Sequence, residues 1–330
     1  MKNTVIEKLD ILEESGKITH EQRLQLEEKW QKRKENSSAV SSMEETATET
    51  HNTNEIDIDE NQDVIPVGSQ KELVCKSIDE DIEIIGDPQL KNIELKKGRD
   101  LVDIVCSEQR ISIKSKNDVA QRSFFVGRKK RRIQLLVPSV LAITLKSVSG
   151  DLQLHNLQQS VVAKSVSGDI QANELHGLVE LETISGDIEI NSTTHLCKAF
   201  TKSGDIEISN SAIQGPIKCF SGDIGIVNAT ISDAEIGTFS GDVALKKVSP
   251  QGTIYLKTYS GDLHAHLLTN GGTIATKDTN KSRKFIDYMG QEQTFTDQPV
   301  SFGNGADVEL LIKTKSGDEN IKLEENLSNV

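Results

Sequence analysis

Large side chains are scarce in this sequence. Aromatic residues make up 4% of 330 positions, tryptophan occurs once, and hydrophobic residues of every kind reach only 35%. A thick globular core is hard to build from that supply, whereas a thin repetitive core of Ile, Val and Leu is not. No apolar run approaches the ~18 residues of a membrane-spanning helix. The opening stretch MKNTVIEKLDILEESGK also lacks the apolar centre of a signal peptide. The expected location is therefore the cytoplasm, with any membrane association made through partners. The four cysteines, Cys75, Cys106, Cys197 and Cys219, form neither a CxxC pair nor a zinc-ligand spacing. That excludes a disulfide scaffold and predicts reduced, buried thiols. Positive charge is in deficit: 38 Lys and Arg against 51 Asp and Glu give a net charge of −13. Nucleic acid and anionic lipid should be repelled by the chain as a whole.

Catalytic groupings are missing too. The seven histidines are scattered, and only His264 and His266 lie close. On a strand that pair would share a face, with no third ligand evident, so neither metal nor cofactor is expected. No Gly-rich phosphate loop leads from a strand into a helix.

What is present is organised in three parts. Residues 1–35 carry helical periodicity. Val5, Ile6, Leu9 and Leu12 form one apolar stripe, Gly16 suits a helix end, and Thr19 with Gln22 opens a second helix bearing Leu24 and Leu26. Two such short helices cannot bury their apolar surface against each other alone, so this hairpin is expected to self-associate into a homo-oligomer. Residues 36–63 are rich in Ser, Thr, Glu and Asp and read as a disordered acidic linker.

From residue 64 to 330 the period becomes two, and a tripeptide recurs. It appears as Ser149-Gly150-Asp151, Ser167-Gly168-Asp169, Ser185-Gly186-Asp187, Ser203-Gly204-Asp205, Ser221-Gly222-Asp223, Ser240-Gly241-Asp242, Ser260-Gly261-Asp262 and Ser316-Gly317-Asp318. The first seven are spaced 18, 18, 18, 18, 19 and 20 residues apart. Each Asp is followed by apolar-x-apolar, as in Ile188 and Ile190. Each Ser is preceded by small or apolar residues at −6, −4 and −2, such as Cys197, Ala199 and Thr201. This predicts an all-β solenoid of about 18 residues per rung with two strands per turn, the motif forming the corner between them. Glycine would supply φ > 0 there, and Asn210, away from the corner, reads as a tolerant loop position. Serine and threonine at −2 would form an inward hydroxyl ladder. The stacked aspartates would repel one another unless backbone N–H groups or cations hold them. A weaker repeat upstream aligns Lys76-Ser77 with Lys146-Ser147 and Ile82 with Leu152. Residues 270–308 break the register near a C-terminal cap.

No serine or aspartate stands out as a nucleophile, because both recur in every rung. The short regular turns also leave no cleft for a pectate-lyase type of chemistry, so no enzyme is expected. Two surface features remain. One is the basic run Arg128, Lys129, Lys130, Arg131 and Arg132 after Phe124-Phe125. It reads either as a solvated loop or as a contact for anionic head groups or an acidic partner, with nucleic acid disfavoured for want of a stacking platform. The other is the outward column just before each motif, which includes Phe220, Phe239 and Tyr259 and shares its face with Phe200 and Tyr255. It reads as an interaction surface or as a stripe covered by other parts of the chain.

The repeat, with Leu136-Val137-Pro138 before it and Gly303-Asn304-Gly305 … Ser316-Gly317-Asp318 after it, resembles the bacterial putative-adhesin domain of YvlB-like proteins over roughly residues 64–323. Leu9-Asp10-Ile11-Leu12-Glu13-Glu14-Ser15-Gly16-Lys17-Ile18-Thr19 resembles the short helical oligomerisation module that precedes this domain, departing from it at Ser15. The resemblance implies a non-enzymatic partner protein of the Gram-positive envelope-stress response, acting with an unidentified and conceivably membrane-bound protein. The rival reading is a surface module that binds carbohydrate or an antimicrobial peptide.

Overall fold

A computed structural model describes residues 56–58, 62–116, 131–276, 284–288, 290–294, 299–303 and 308–325. The expected hairpin of residues 1–35, most of the linker, and Arg128, Lys129 and Lys130 lie outside the described residues. Within them the chain is all-β apart from one short 3-10 turn, Arg99–Leu101. Residues 56–58, assigned by composition to the linker, join the sheet: Ile56–Asp57 pairs with Val102–Cys106.

The solenoid follows the repeat. Ile170 lies over Ile188, Ile188 over Ile206, and Ile206 over Ile224, all in parallel register. The inward positions are completely buried, Ile170, Ile190, Leu181 and Ile217 among them. The weak upstream repeat also falls where it was expected, with Lys76 opposite Lys146 and Ile82 opposite Leu152.

The predicted two strands per turn are corrected in the centre. Two rungs there carry three strands, Ile206–Ser209, Ala212–Ile213 and Ile217–Ser221, then Ile224–Val227, Thr230–Ser232 and Glu235–Ser240. The reason is a second corner. Asn156, Glu174, Ser192, Asn210, Asn228 and Lys247, each five residues after the motif's Asp, have φ between 51° and 57°. A left-handed residue here turns two successive side chains outward and shifts the inward phase by one. Leu157, Leu175, Ala229 and Val248 therefore enter the core, where simple alternation would not place them. Asn210 is thus a corner rather than a tolerant loop. A bulge in the preceding rung has a similar effect: Leu196 pairs with Ile213 and is fully buried, while Cys197, expected inward, is only half-buried. Cys75, Cys106 and Cys219 are buried as free thiols.

The motif's glycine is fixed chiefly by close approach. A β-carbon at Gly222 would meet the Gly204 carbonyl oxygen at 2.1 Å, and one at Gly168 would meet the Gly150 oxygen at the same distance. Gly222 also takes φ 146°, whereas Gly168 occupies the same corner without a positive φ. The aspartates resolve their repulsion through the backbone. The Asp205 N–H donates to Asp187 Oδ1 at 2.8 Å, the Asp223 N–H to Asp205 Oδ1 at 2.8 Å, and so on to Asp318 on Asp262. The hydroxyl column does not bond within itself. Thr201 Oγ1 donates to the Gly186 carbonyl at 2.9 Å and Thr238 Oγ1 to the Gly222 carbonyl at 2.9 Å, tying these rungs to the corner of the previous one, whereas Ser147 and Ser165 accept from the glycine N–H of their own motif.

Both ends are closed by strands that leave the stack and return. Val308–Ser316 lies between Val243–Ser260 and Gly271–Thr276, and Glu319–Glu324 between Leu263–Leu268 and Lys284–Tyr288. The stretch that breaks the register is thus the outermost layer, and Ser316 stacks directly on Ser260. At the other end Glu72–Lys76 lies between Arg110–Ser115 and Ala142–Lys146, with Ile93–Lys97 and Val102–Cys106 closing the stack antiparallel.

Gly222→Ala should destabilise the fold by roughly 3 kcal/mol, from overpacking and backbone strain together. Asn210→Val should cost about 1–2 kcal/mol, and Asn210→Gly less, because glycine keeps the left-handed geometry and gives up the exposed hydrogen bond that Asn210 Nδ2 donates to Asn191 Oδ1 at 2.9 Å. Urea denaturation of the three variants checks this, and a silent Asn210→Val would refute the second corner.

Candidate interaction face

The residue before each motif points outward, since its neighbours at −2 are buried. In the later rungs this column holds Phe220, Phe239 and Tyr259, which are 50%, 44% and 42% exposed. Rung stacking sets their rings face to face. Phe220 and Phe239 have centroids 4.8 Å apart with planes 1° from parallel, and Phe239 and Tyr259 are 4.5 Å apart at 10°. Lys315 Nζ then lies 4.2 Å from the Tyr259 centroid, a cation–π cap on the ladder, and also donates to the Tyr259 hydroxyl. Each ring pair adds about 0.5–1.5 kcal/mol beyond simple burial.

Beside the ladder runs a groove of about 1030 Å³, lined by Phe200 and the three stacked rings and edged by Lys202, Lys218, Lys257, Lys313 and Lys315. Gly237 also lines it, and a β-carbon there would meet the Lys257 carbonyl oxygen at 2.6 Å. Glu235 is its one carboxylate. Lys218 Nζ stands 2.7 Å from Glu235 Oε2 and Lys257 Nζ 2.5 Å from Oε1. Hydrogen bonds from these two lysines hold Glu235 below the usual carboxylate range. Glu235 thus fixes two ammonium groups on the groove edge. Tyr255 lies just outside the lining, with Lys257 Nζ 5.7 Å from its ring centroid.

Sequence reasoning found the five aromatics, and the fold brings four of them into one groove. It missed the lysines as a group. Their signal was present: Lys218, Lys257 and Lys313 each stand three residues before a motif serine, and Lys202 and Lys315 one residue before. Stacking turns those offsets into two adjacent columns.

Arg131 and Arg132, the described residues of the basic run, do not join this face. Arg131 Nη2 lies 3.2 Å from Glu80 Oε1, and Arg132 Nη1 lies 3.3 Å from Glu83 Oε2, at the N-terminal end of the stack. Glu80 occupies the place of the motif glycine in the upstream repeat and is 1% exposed. Ser115 Oγ donates to its Oε2 at 2.5 Å, and Ser77 Oγ at 3.0 Å. Burial pushes the Glu80 carboxyl up, but the Ser115 and Ser77 hydrogen bonds and the Arg131 charge outweigh it, leaving the group below its ordinary value. One carboxylate therefore ties down Ser115 and Arg131, on either side of residues 117–130. Of the histidine pair, His266 Nε2 faces Glu324 Oε2 at 2.9 Å. Among the described residues no three or more His, Cys, Asp or Glu converge as metal ligands, and no helix is long and apolar enough to cross a membrane.

The fold and this face define a repeat protein: a parallel β-solenoid that displays a lysine-edged aromatic groove. The chain belongs to the family described as Toastrack DUF4097, whose model matches residues 70–322. Among solved structures it is similar to a putative cell adhesion protein from Clostridium sporogenes at 11% identity. That match covers 82% of this chain and 100% of the other, with a TM-score of 0.18. No curated protein matches.

A depressed carboxyl pKa stabilises the fold above its unfolded value, near 4.3 for Glu, and the contribution is lost as pH falls through the lower folded value. Glu80 should therefore add to acid destabilisation below about pH 4.3. Glu80→Gln should cost about 2 kcal/mol at neutral pH and flatten that acid limb in melting curves. A variant with the parent's pH profile would remove Glu80 from the clamp.

Proposed function

We propose that this protein is a non-enzymatic interaction scaffold whose solenoid presents the aromatic–lysine groove to a protein partner, and whose residues 1–35 self-associate to multiply that face. The observation that carries the reading is the stacked Phe220–Phe239–Tyr259 ladder, half exposed on a rigid sheet and edged by five lysines in a chain of net charge −13. A contiguous exposed apolar strip of this kind marks an interaction surface. The resemblance to YvlB-like proteins supports a place in the envelope-stress response, with the protein on the cytoplasmic side and membrane association made through its partner. The stripe of Val5, Leu9, Leu12 and Leu24 supports self-association.

The carbohydrate alternative fits the groove less well. Sugars pack on ring faces, and here the faces of Phe239 are covered by its two neighbours. A cationic antimicrobial peptide would meet lysines. Ion pairs with Glu80 and Glu83 occupy Arg131 and Arg132, which makes these two poorer contacts for an anionic membrane.

Two measurements test this reading. The full chain should scatter light as a species larger than one chain, and Leu9→Asp with Leu12→Asp should return it to a monomer. A monomeric parent at tens of micromolar would refute self-association. In pull-downs from the producing cell, Phe220→Ser, Phe239→Ser and Tyr259→Ser together should lose the proteins that the parent captures while the melting temperature holds within a few degrees. Identical capture by the triple variant would reject the face.

A further inference from the structure

We propose that the groove takes an extended acidic peptide segment with interspersed apolar side chains, supplied by the partner protein; this rests on the interaction face assigned above. Charge comes first. Five lysines against one already paired carboxylate make this a cationic strip on an anionic molecule. An acidic ligand is therefore drawn to the groove and repelled elsewhere.

The floor narrows the class. Its apolar lining is Phe200, Phe220, Phe239 and Tyr259. A bare polyanion would satisfy the lysines and leave that apolar floor wet. An anionic membrane, far wider than the groove, would also face the rest of a chain whose net charge is −13. A second copy of this chain could offer the acidic corner at Asp169, Asp187, Asp205, Glu189 and Glu207. The exposed apolar side chains nearest to it are Val166 and Ile184, and a rise in mass without peptide would reveal that arrangement. A peptide alternating acidic and apolar residues meets both demands.

Length and mode follow from the stack. From Lys202 to Lys315 the groove crosses five rungs, about 19 Å at ~4.8 Å per step, the reach of about six extended residues. The strands beneath pair on both sides, Ile217–Ser221 between the rungs of Ala199 and Ile236 for example. Strands paired in this way offer no open backbone edge, so recognition along them runs through side chains.

The test uses the full chain and a fluorescein-labelled peptide of alternating Glu and Leu, read by fluorescence anisotropy. Binding should saturate and should collapse toward 1 M salt, where the Debye length is about 3 Å. Lys202→Ala with Lys313→Ala should weaken it about fivefold or more, as should Phe239→Ala. Thermal melts should confirm that these surface variants remain folded. Four results would overturn the proposal. Equal binding of the alternating Lys–Leu peptide would mean that charge is not read. Equal binding of an all-Glu peptide would mean a polyanion site. Preferential, Lys313-dependent binding of phosphatidylglycerol vesicles would mean a lipid surface. A Lys313- and Phe239-dependent increase in mass without peptide would mean a second copy. If the peptide fails while the triple Ser variant still loses its captured proteins, the face stands and the acidic class falls. If both fail, the face falls with it.

Discussion

Adjacent rungs at the Ser-Gly-Asp corner approach so closely that a glycine carbonyl lies about where the next rung's β-carbon would be. At Gly241 that hypothetical carbon would sit 2.1 Å from the Gly222 oxygen. From Gly150 onward the parallel stack closes to about 4.8 Å here because this point carries no side chain. Once it does, the aspartate carboxylate reaches the next backbone N–H and the threonine hydroxyl reaches the previous carbonyl. A column of like charges becomes a column of charge-assisted hydrogen bonds. The inward Ile and Leu layers then fall into register without further specification.

The same spacing makes the candidate face. Rings recurring at one position of successive rungs are forced to 4.5–4.8 Å, close to the separation at which aromatic planes stack. Lysines recurring at another position gather along a line and would repel, which Glu235 relieves by bridging Lys218 and Lys257. The groove is therefore a property of columns, and no single rung contains it.

That distinction governs how much could be read from the sequence. The corner was legible because chemistry and spacing coincide: glycine, aspartate and a constant interval leave few alternatives. The upstream rung was legible at Lys76 and Ile82 even with Glu80 in the glycine position. The second corner was not, because left-handed geometry is met by Asn, Glu, Ser or Lys, and residue type gives only a faint signal. The phase shift it imposes hid Leu157 and Val248 from an alternation count, and the bulge at Leu196 misplaced Cys197. The ion pairs of Arg131 and Arg132 were not legible, because a run of cations in one dimension says nothing of the carboxylates that the fold places opposite them.

The returning strands at the ends have a mechanical consequence. A solenoid whose last strand is its outermost can be unzipped one rung at a time by a pull on its terminus. Here Glu319–Glu324 is sandwiched between Leu263–Leu268 and Lys284–Tyr288. Tension applied at the C-terminus would have to shear that strand from two neighbours at once, loading many backbone hydrogen bonds in parallel. The molecule is thus built as a tie-bar: the end that would yield first in an open stack is the one clamped from both sides.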